Sequence, residues 1–427
     1  MNLAQRWENV RSSLFYIPLL FTILGGALAQ AALVADDQVG VLPDRLTATV
    51  DSARSVLGVI AGATLAFAGI AFSVSLLLIS AASSQFSPRV VHGLFRDPFN
   101  KRVMGLVVGT FVYCLIVMQA VRGPLEEAGS AVTPSLSVLL AVVLGMASIL
   151  AIVGFINHSA HTMEVSTMLH QVTDEALREV RRDASDRWEE DVDGAPPEGD
   201  GFVVTFEAHG WVQGVDHEAI LAAMGPDSQL SLDTSVGRYA ISSAPLCRIW
   251  PTPDDEQAVV EAVRRAVIVG PSRSLRQDGS YGVRQLADVA LKALSPGIND
   301  PTTAQDALFH MSSVVAELLA QPRRGQRLVG DDGQVLLAPQ EVTPTDIVGL
   351  AFDEVRLAAA SQPTVLIYLL EILRVLLDTL DDSAEQEVLD ALRTQAGLVV
   401  EVARLADLPQ ADRDRVQAAY DKRFADV

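Results

Sequence analysis

The chain has 427 residues, of which 49% are hydrophobic, and its mean hydropathy is +0.28. Residues 1–156 carry 9 basic and 8 acidic side chains, whereas the remainder carries 23 basic and 45 acidic ones. A region with this acidic excess lacks the basic face that nucleic-acid phosphates require, so we expect no nucleic-acid partner. The only two cysteines, Cys114 and Cys247, offer neither a disulfide framework nor a paired-cysteine metal site.

Four hydrophobic runs are long enough to cross a bilayer core of about 30 Å at about 1.5 Å per residue. They are Leu14–Ala35, Val56–Ser80, Val103–Val121 and Leu136–Ile156. Because three more spans follow the first one, we interpret it as a membrane anchor rather than a signal peptide. These runs predict a four-helix transmembrane domain over residues 1–156.

The basic side chains that flank the spans predict the orientation of the chain. Arg6 and Arg11 precede the first span, and a second basic group lies between the second and third spans. That group comprises Arg89, Arg96, Lys101 and Arg102. The positive-inside rule then places both termini in the cytoplasm, in a multi-pass protein of the cell (inner) membrane whose first partner is the lipid bilayer.

The same basic group forms a rim at the predicted cytoplasmic mouth of the spans, just after Pro88, which is expected to end or kink the second helix. Two interpretations of the rim remain open. Its side chains either contact anionic lipid headgroups or attract anions to a pore.

Small residues follow one another at helical spacing along the second span. They are Gly58, Gly62, Ala66, Gly69 and Ser73. Such a stripe lets another helix approach closely, either within one bundle or as a self-association or pore-lining face between subunits. The four spans contain no Asp, Glu, Lys, Arg or His, which disfavours a proton-coupled carrier more than a channel.

A helical pattern continues beyond the fourth span to about Trp188, and it predicts a stalk over residues 157–192. His158, His161 and Glu164 share a helical face there, as the ligands of a transition metal do. The sequence shows no closing ligand, and histidines near a membrane surface are commonly interfacial. We therefore predict no metal site at His158 and His161.

Residues 193–252 read as a small β-rich, barrel-like domain with a short helix at Glu218–Met224. Its predicted strands are Phe202–Glu207, Trp211–Val215, Gln229–Leu232, Arg238–Ser242 and Leu246–Trp250. The expected fold class is therefore a membrane α-helical protein with a cytoplasmic α+β region.

Residues 253–427 are predicted to form a mostly helical cytoplasmic domain. Its expected helices are Asp255–Ile268, Tyr281–Leu294, Pro301–Leu319, Pro344–Ala359, Pro363–Leu380, Ser383–Leu405 and Gln410–Phe424. A short hairpin joins Arg327–Val329 to Val335–Ala338.

A polar cluster around the second of these helices is the candidate ligand-binding site. It comprises Arg273, Arg276, Tyr281 and Arg284, followed by Asn299 and Asp300. If the chain folds back, these side chains form a pocket for an anion or another ligand. The alternative is loop anchoring by arginine–carboxylate pairs together with helix capping.

The sequence carries no Walker A, GxSxG, HExxH or dinucleotide-binding motif. We therefore expect no enzymatic activity and no cofactor.

Four motifs occur in an order that resembles the bacterial membrane protein family grouped as domain of unknown function 2254. They are Ala82–Arg89, Gly109–Tyr113, Tyr281–Asp288 and Ala293–Pro301. The resemblance implies a multi-span membrane protein with a cytoplasmic C-terminal region, and it supplies no activity. The last two motifs coincide with the polar cluster at residues 273–301.

Together these features predict a homo-oligomeric, channel-like or transport-related membrane protein that binds an ion or a small ligand. The cytoplasmic region is expected to assemble below the spans as a gating or vestibule domain. The alternative is a membrane-anchored sensor or scaffold whose cytoplasmic region binds a ligand or a partner.

Overall fold

The computed structural model describes residues 16–39, 49–85, 98–122, 133–162, 164–183, 196–321, 327–339, 342–380 and 385–425. The chain divides into two compact units. We call residues 1–84 with 88–164 the membrane unit, and residues 85–87 with 165–427 the C-terminal unit.

Within its described residues, the membrane unit contains four long helices, one for each predicted span. They are α1 (Tyr16–Val39), α2 (Val50–Gln85), α3 (Pro98–Ala120) and α4 (Ser135–Thr162). Their apolar stretches are 23, 28, 22 and 25 residues long. Even the shortest stretch extends for about 33 Å at about 1.5 Å per residue, which exceeds the bilayer core of about 30 Å. The prediction of four membrane-crossing helices is therefore confirmed by length and composition.

The interior of the membrane unit is built from side chains of all four helices. Leu57, Tyr113 and Val117 are fully buried in one cluster. A second cluster includes Val107 and Phe155. Many large apolar side chains point outward instead, as expected of helices whose solvent is lipid. Among them are Leu19, Ile23, Val59, Leu77, Leu150 and Val153.

The structure differs from the predicted continuous stalk over residues 157–192. Helix α4 ends at Thr162, and a separate helix, α5 (Val165–Asp183), belongs to the C-terminal unit. Helix α4 is almost uniformly apolar, whereas α5 has an apolar face and a charged face. The uniformly apolar α4 suits a lipid environment. The amphipathic α5 suits the surface of a protein, against which it buries its apolar face. Residues 184–192 of the predicted stalk lie outside the described residues.

The β-rich part of the C-terminal unit consists of two sheets. Its elements are β1 (Phe202–Thr205), β2 (Gly210–Val215), α6 (His217–Ala223), β3 (Gln229–Leu232), β4 (Tyr239–Ala240), β5 (Pro245–Trp250), α7 (Glu256–Ala266), β6 (Val267–Gly270), β7 (Arg327–Val329) and β8 (Val335–Leu337). One sheet has the order β1-β5-β3-β8-β7, and the other has the order β4-β2-β6. Val212, Leu230 and Ile249 are buried in the common apolar core.

The sheets extend past the predicted domain boundary at residue 252. Strand β6 pairs antiparallel with β2, and strand β8 pairs in parallel with β3. The predicted helix Asp255–Ile268 therefore ends early, at Ala266. Val267–Gly270 continues as a strand because its β-branched side chains fit a sheet and the neighbouring strand supplies its hydrogen bonds. The β-rich and helical parts are thus interleaved along the chain.

The helical part contains α8 (Gly279–Ala293), α9 (Pro301–Ala320), α10 (Pro344–Ala358), α11 (Pro363–Leu380), α12 (Gln386–Leu405) and α13 (Gln410–Phe424). Helix α5 packs against α8 and α9, and α11 packs against α9, α12 and α13. Val283, Leu308, Phe352 and Leu369 are fully buried in this part. The helices bury their apolar stripes against one another, as the periodicity predicted.

Candidate functional site

The small-residue stripe of α2 is exposed in the membrane unit. Gly58, Gly62, Ala66, Gly69 and Ser73 all belong to the exposed class. A Cβ atom built at Gly62 or Gly69 would meet nothing within 4 Å. At about 100° per residue, this stripe lies opposite the helix face that packs into the bundle. The buried face carries Ala53, Leu57, Ala61 and Thr64.

A different set of small residues supports packing within the bundle. Gly25 of α1 lies against the backbone of Gly109 of α3. A Cβ at Gly109 would lie 2.7 Å from the carbonyl oxygen of Phe21, and a Cβ at Gly105 would lie 2.8 Å from the Phe21 ring. These glycines let α1 and α3 approach closely. The closest helix packing at glycines inside the membrane unit is therefore that of α1 against α3. The small-residue stripe of α2 takes no part in it.

An apolar groove runs between α2 and α4 and has a volume of about 370 Å³. Val59, Ile60 and Phe67 line it from α2, and Val142 and Met146 line it from α4. The hydroxyl groups of Thr64 and Ser148 are already hydrogen-bonded, and most of the remaining lining is apolar and suited to hydrocarbon. Thr64 Oγ1 donates to the carbonyl of Ile60 at 2.8 Å, and Ser148 Oγ lies 3.1 Å from Thr110 Oγ1.

One end of the bundle is held by Asp36, which comes directly after the first predicted span. Asp36 Oδ1 accepts a hydrogen bond from Leu136 N at 2.8 Å, and Asp36 Oδ2 accepts one from Ser137 N at 2.9 Å. The carbonyl of Ser137 in turn accepts from the Tyr113 hydroxyl at 2.9 Å. Asp36 therefore caps α4 from α1, although about one hundred residues separate them. No local sequence signal pairs these two positions.

The predicted basic rim is only partly covered by the described residues. Lys101 is buried, with 6% of its surface exposed, and its neighbour Arg102 is exposed. Arg89 and Arg96 lie outside the described residues. Lys101 and Arg102 therefore do not face the same surroundings, and the rim remains a prediction.

The first half of the predicted ligand cluster forms a junction between the sheets and α8. Arg273 Nη2 donates to Asp278 Oδ2 at 2.8 Å, and Arg273 Nε donates to the same oxygen at 3.0 Å. Its guanidinium also lies 5.0 Å from the ring centroid of Tyr281 and 5.9 Å from that of Trp211. Asp278 caps α8 by accepting from Tyr281 N at 3.0 Å. The charges of Arg273 and Asp278 are thus satisfied within the protein.

The second half of the cluster, which includes Arg284 and Asn299, contacts other partners than Arg273 does. Arg284 donates to Glu354 of α10 through both terminal nitrogens, at 2.6 and 3.0 Å, and to Asp288 on its own helix. These carboxylates raise the pKa of the Arg284 guanidinium above its usual value, and the Glu354 hydrogen bond contributes most. Asn299 Oδ1 accepts from the side chain of Gln362 at 2.8 Å.

Asp300 caps α9, as the sequence predicted, and Pro301 is the first residue of that helix. Hydrogen bonds from the hydroxyl and the backbone of Thr303 hold the pKa of the Asp300 carboxyl below its usual value. Arg276 alone among the predicted ligand residues is exposed with no ion pair or hydrogen bond to the described residues. The arrangement in this cluster is that of loop anchoring and helix capping.

The histidines of the predicted stalk do not form a recognisable metal centre. The His158 ring lies 4.8 Å from the ring of Phe99, centroid to centroid, and the His161 side chain lies outside the described structure. Among the described residues, no group of three or more His, Cys, Asp or Glu side chains is arranged to hold a metal ion. The absence of a site at His158 and His161 remains a prediction.

Four membrane-length apolar helices followed by a mixed α+β unit define a multi-pass membrane protein. Residues 11–375 match the family described as "Predicted membrane protein (DUF2254)". Since this match covers most of the chain, the protein belongs to that family, as the four motifs indicated.

Relatives occur in mycobacteria. The chain is 28% identical to uncharacterized protein Rv1290c of Mycobacterium tuberculosis and to uncharacterized protein Mb1321c of Mycobacterium bovis. Each alignment covers 96% of this chain and 80% of the relative. No solved structure matches the chain.

Proposed function

We propose that the protein is a homo-oligomeric, channel-like or transport-related protein of the cell (inner) membrane. Both termini face the cytoplasm in this proposal, and the acidic C-terminal unit acts as a gating or vestibule domain for an ion or a small ligand. The proposal includes no enzymatic activity, no cofactor and no nucleic-acid partner, because the sequence carries no catalytic motif and its C-terminal part is strongly acidic.

The observation that carries the proposal is the exposure of the α2 stripe. Lipid does not require a row of small residues, whereas a neighbouring helix does, because the missing side-chain bulk allows close backbone contact. Within the bundle that requirement is met by Gly25 and Gly109, which pack α1 against α3. Gly62 and Gly69 have open space beside them and are available to the α2 helix of another subunit.

The uncharged centres of the spans favour passive conduction over a proton-coupled cycle. Carriers and pumps place Asp, Glu, Lys, Arg or His side chains at membrane depth, and these spans contain none of them. A channel requires only backbone dipoles, hydroxyls and apolar constrictions.

The first experiment measures the oligomeric state of the purified full-length protein in nanodiscs by native mass spectrometry. We expect Gly62→Leu and Ala66→Leu to reduce the oligomer, because leucine prevents close approach at the stripe. Ala27→Leu is the matched control, since Ala27 is also exposed on a membrane helix but lies outside the stripe. A monomeric wild-type protein, or an oligomer that Gly62→Leu and Ala27→Leu affect equally, contradicts the proposal.

The second experiment measures ion flux in liposomes under varied voltage, tension, pH and candidate ligands. We expect conductance from the wild-type protein and from Ala27→Leu, and its loss from Gly62→Leu. A stable oligomer without conductance under all of these conditions contradicts the channel part and favours the membrane-anchored sensor or scaffold.

A further inference from the structure

A second cavity, of about 390 Å³, lies in the β-rich part of the C-terminal unit. One wall is the edge strand β4 with its flanking residues Arg238 and Ile241, and the other wall comes from the ends of β3 and β5. Backbone hydrogen bonds of 2.9 Å hold the walls, from Val212 N to the carbonyl of Arg238 and from Asp233 N to the carbonyl of Leu246. The cavity is therefore shaped by the sheets themselves and is largely pre-formed.

The lining of this cavity carries a surplus of positive charge. Arg248 and Asp233 form an ion pair across the wall, with Arg248 Nε 3.2 Å from Asp233 Oδ2. Arg238 also lines the cavity, and it has no ion pair or hydrogen bond from its side chain to the described residues. Two guanidinium groups thus face one carboxylate, although acidic residues outnumber basic ones by 45 to 23 beyond residue 156. An unpaired guanidinium presents a planar fork of donors that matches a carboxylate or a phosphate.

Thr234 adds a hydrogen-bonding group to the lining of the cavity. Only 4% of its surface is exposed, and it lines the cavity. Its hydroxyl has no hydrogen-bond partner within the described parts of the chain. The hydroxyl can therefore donate a hydrogen bond to a ligand in the cavity or accept one from it.

The remaining lining is apolar and partly exposed. Tyr239 is 51% exposed and Ile241 is 64% exposed, which is unusual for large side chains beside a cavity. The Tyr239 ring packs edge-to-face on Trp211, with 5.4 Å between the ring centroids, so this wall is held in place from behind. The wall is suited to cover an aromatic or aliphatic group.

We propose that this cavity binds a small molecule that carries an oxyanion on an apolar body. Arg238 pairs with the oxyanion, Arg248 adds a second positive charge, and the Thr234 hydroxyl completes the hydrogen bonding. Tyr239 and Ile241 cover the apolar body. The lining residues of this site are different from those of the polar cluster at residues 273–301, where Arg273 and Arg284 are already paired with carboxylates. It also stands independently of the proposed oligomer and conductance.

The test uses the full-length protein in detergent and isothermal titration calorimetry. Phenyl phosphate and benzoate are the probes, because they place a phosphate or a carboxylate on the same aromatic body. Inorganic phosphate tests whether the apolar body contributes. We expect saturable binding of at least one aromatic probe, and weaker binding of inorganic phosphate. The stronger of the two aromatic probes identifies the kind of oxyanion.

Two variants and a control connect the binding to the cavity. Arg238→Ala is expected to weaken the binding about tenfold to a hundredfold, since a hydrogen bond to a charged group is lost. Thr234→Val is expected to weaken it severalfold without lowering the melting temperature, because the hydroxyl has no partner in the described structure. Arg404→Ala is the control, since Arg404 is another exposed arginine, on α12.

The proposal is overturned if neither aromatic probe binds saturably, or if Arg238→Ala binds as tightly as the wild type. An equal loss in Arg238→Ala and Arg404→Ala also overturns it, because that result reflects the overall charge rather than this site. Failure of any of these tests leaves the proposal on oligomerisation untouched, since neither flux nor subunit number enters the measurement.

Discussion

The guanidinium of Arg273 lies 2.8 Å from the carboxylate of Asp278, which caps helix α8. The Asp278 side chain is only 4% exposed, and Arg273 is held between the aromatic rings of Trp211 and Tyr281. This one side chain therefore connects strand β2 to the beginning of α8. The free energy of unfolding depends on such an ion pair mainly because the loss of either partner would leave the other charge buried and uncompensated.

Arg273→Ala is expected to destabilise the C-terminal unit by about 3 kcal/mol, because Asp278 then keeps a buried charge without its partner. Arg276→Ala is the matched control, since Arg276 is exposed and unpaired within the described residues, and a change within about 0.5 kcal/mol is expected. Thermal unfolding of the full-length protein in detergent measures both variants. Equal effects of the two substitutions rule out the anchoring role of Arg273.

The glycines of the membrane unit offer a second matched comparison. Gly109→Ala is expected to destabilise the helix bundle by about 1–3 kcal/mol, because its Cβ would lie 2.7 Å from the Phe21 carbonyl oxygen. Within one subunit Gly62→Ala meets open space and replaces a poor helix former with a good one, so in a detergent that keeps the subunits apart it is expected to be neutral or slightly stabilising. Melting temperatures in the same detergent measure the difference. A loss of stability in Gly62→Ala as large as that in Gly109→Ala contradicts this assignment of the two faces.

Asp36 provides a third prediction, at the end of the bundle where α1 meets α4. Asp36→Ala removes the acceptors for two backbone N–H groups of α4, and we expect a loss of about 1–2 kcal/mol. Asp37→Ala is the control, because Asp37 is exposed and makes no hydrogen bond to the described residues. Unfolding of the purified protein, followed by the loss of helical circular dichroism, distinguishes the two. If Asp36→Ala melts like the wild type, the cap contributes nothing measurable.

The fourth prediction concerns pH and His310 of α9. Burial lowers the pKa of His310 below its usual value of 6.5, and the nearby His170 lowers it further, while Asp306 and Asp174 act in the opposite direction. The unfolded chain therefore binds this proton more readily than the folded protein does. The contribution of His310 to stability is fully present above about pH 6.5 and decreases as the pH falls towards the lower folded pKa.

Melting temperatures between about pH 5.5 and 7.5 test this sign, since that range covers the usual histidine pKa. His310→Gln is expected to reduce the loss of stability on acidification, and glutamine can still reach the Thr173 hydroxyl, which lies 3.1 Å from His310 Nδ1. His209→Gln, at an exposed position, is the control for replacing a histidine by glutamine. A steeper loss on acidification in His310→Gln than in the wild type contradicts the direction of the pKa shift.

Much of the local structure follows from the sequence alone, because it depends on neighbouring residues. Hydrophobic length predicted the four membrane helices, and the helix Pro363–Leu380 was predicted at its observed bounds. Asp300 and Pro301 marked the beginning of α9 by capping chemistry, which operates within one turn. Family membership was likewise indicated by short motifs that can be recognised in the sequence without knowledge of the fold.

Only the tertiary structure decided which surfaces are available. The packing of the bundle leaves Gly62 in the stripe of α2 facing open space, which the sequence did not determine. Val267–Gly270 looked helical because the signal that makes it a strand comes from β2, some fifty residues earlier. Arg273 was predicted as a ligand residue and is paired with Asp278, whereas Arg238 was passed over and remains unpaired within the described residues. Composition and periodicity determine what a segment can form, and contacts between distant segments determine which side chains remain free to bind.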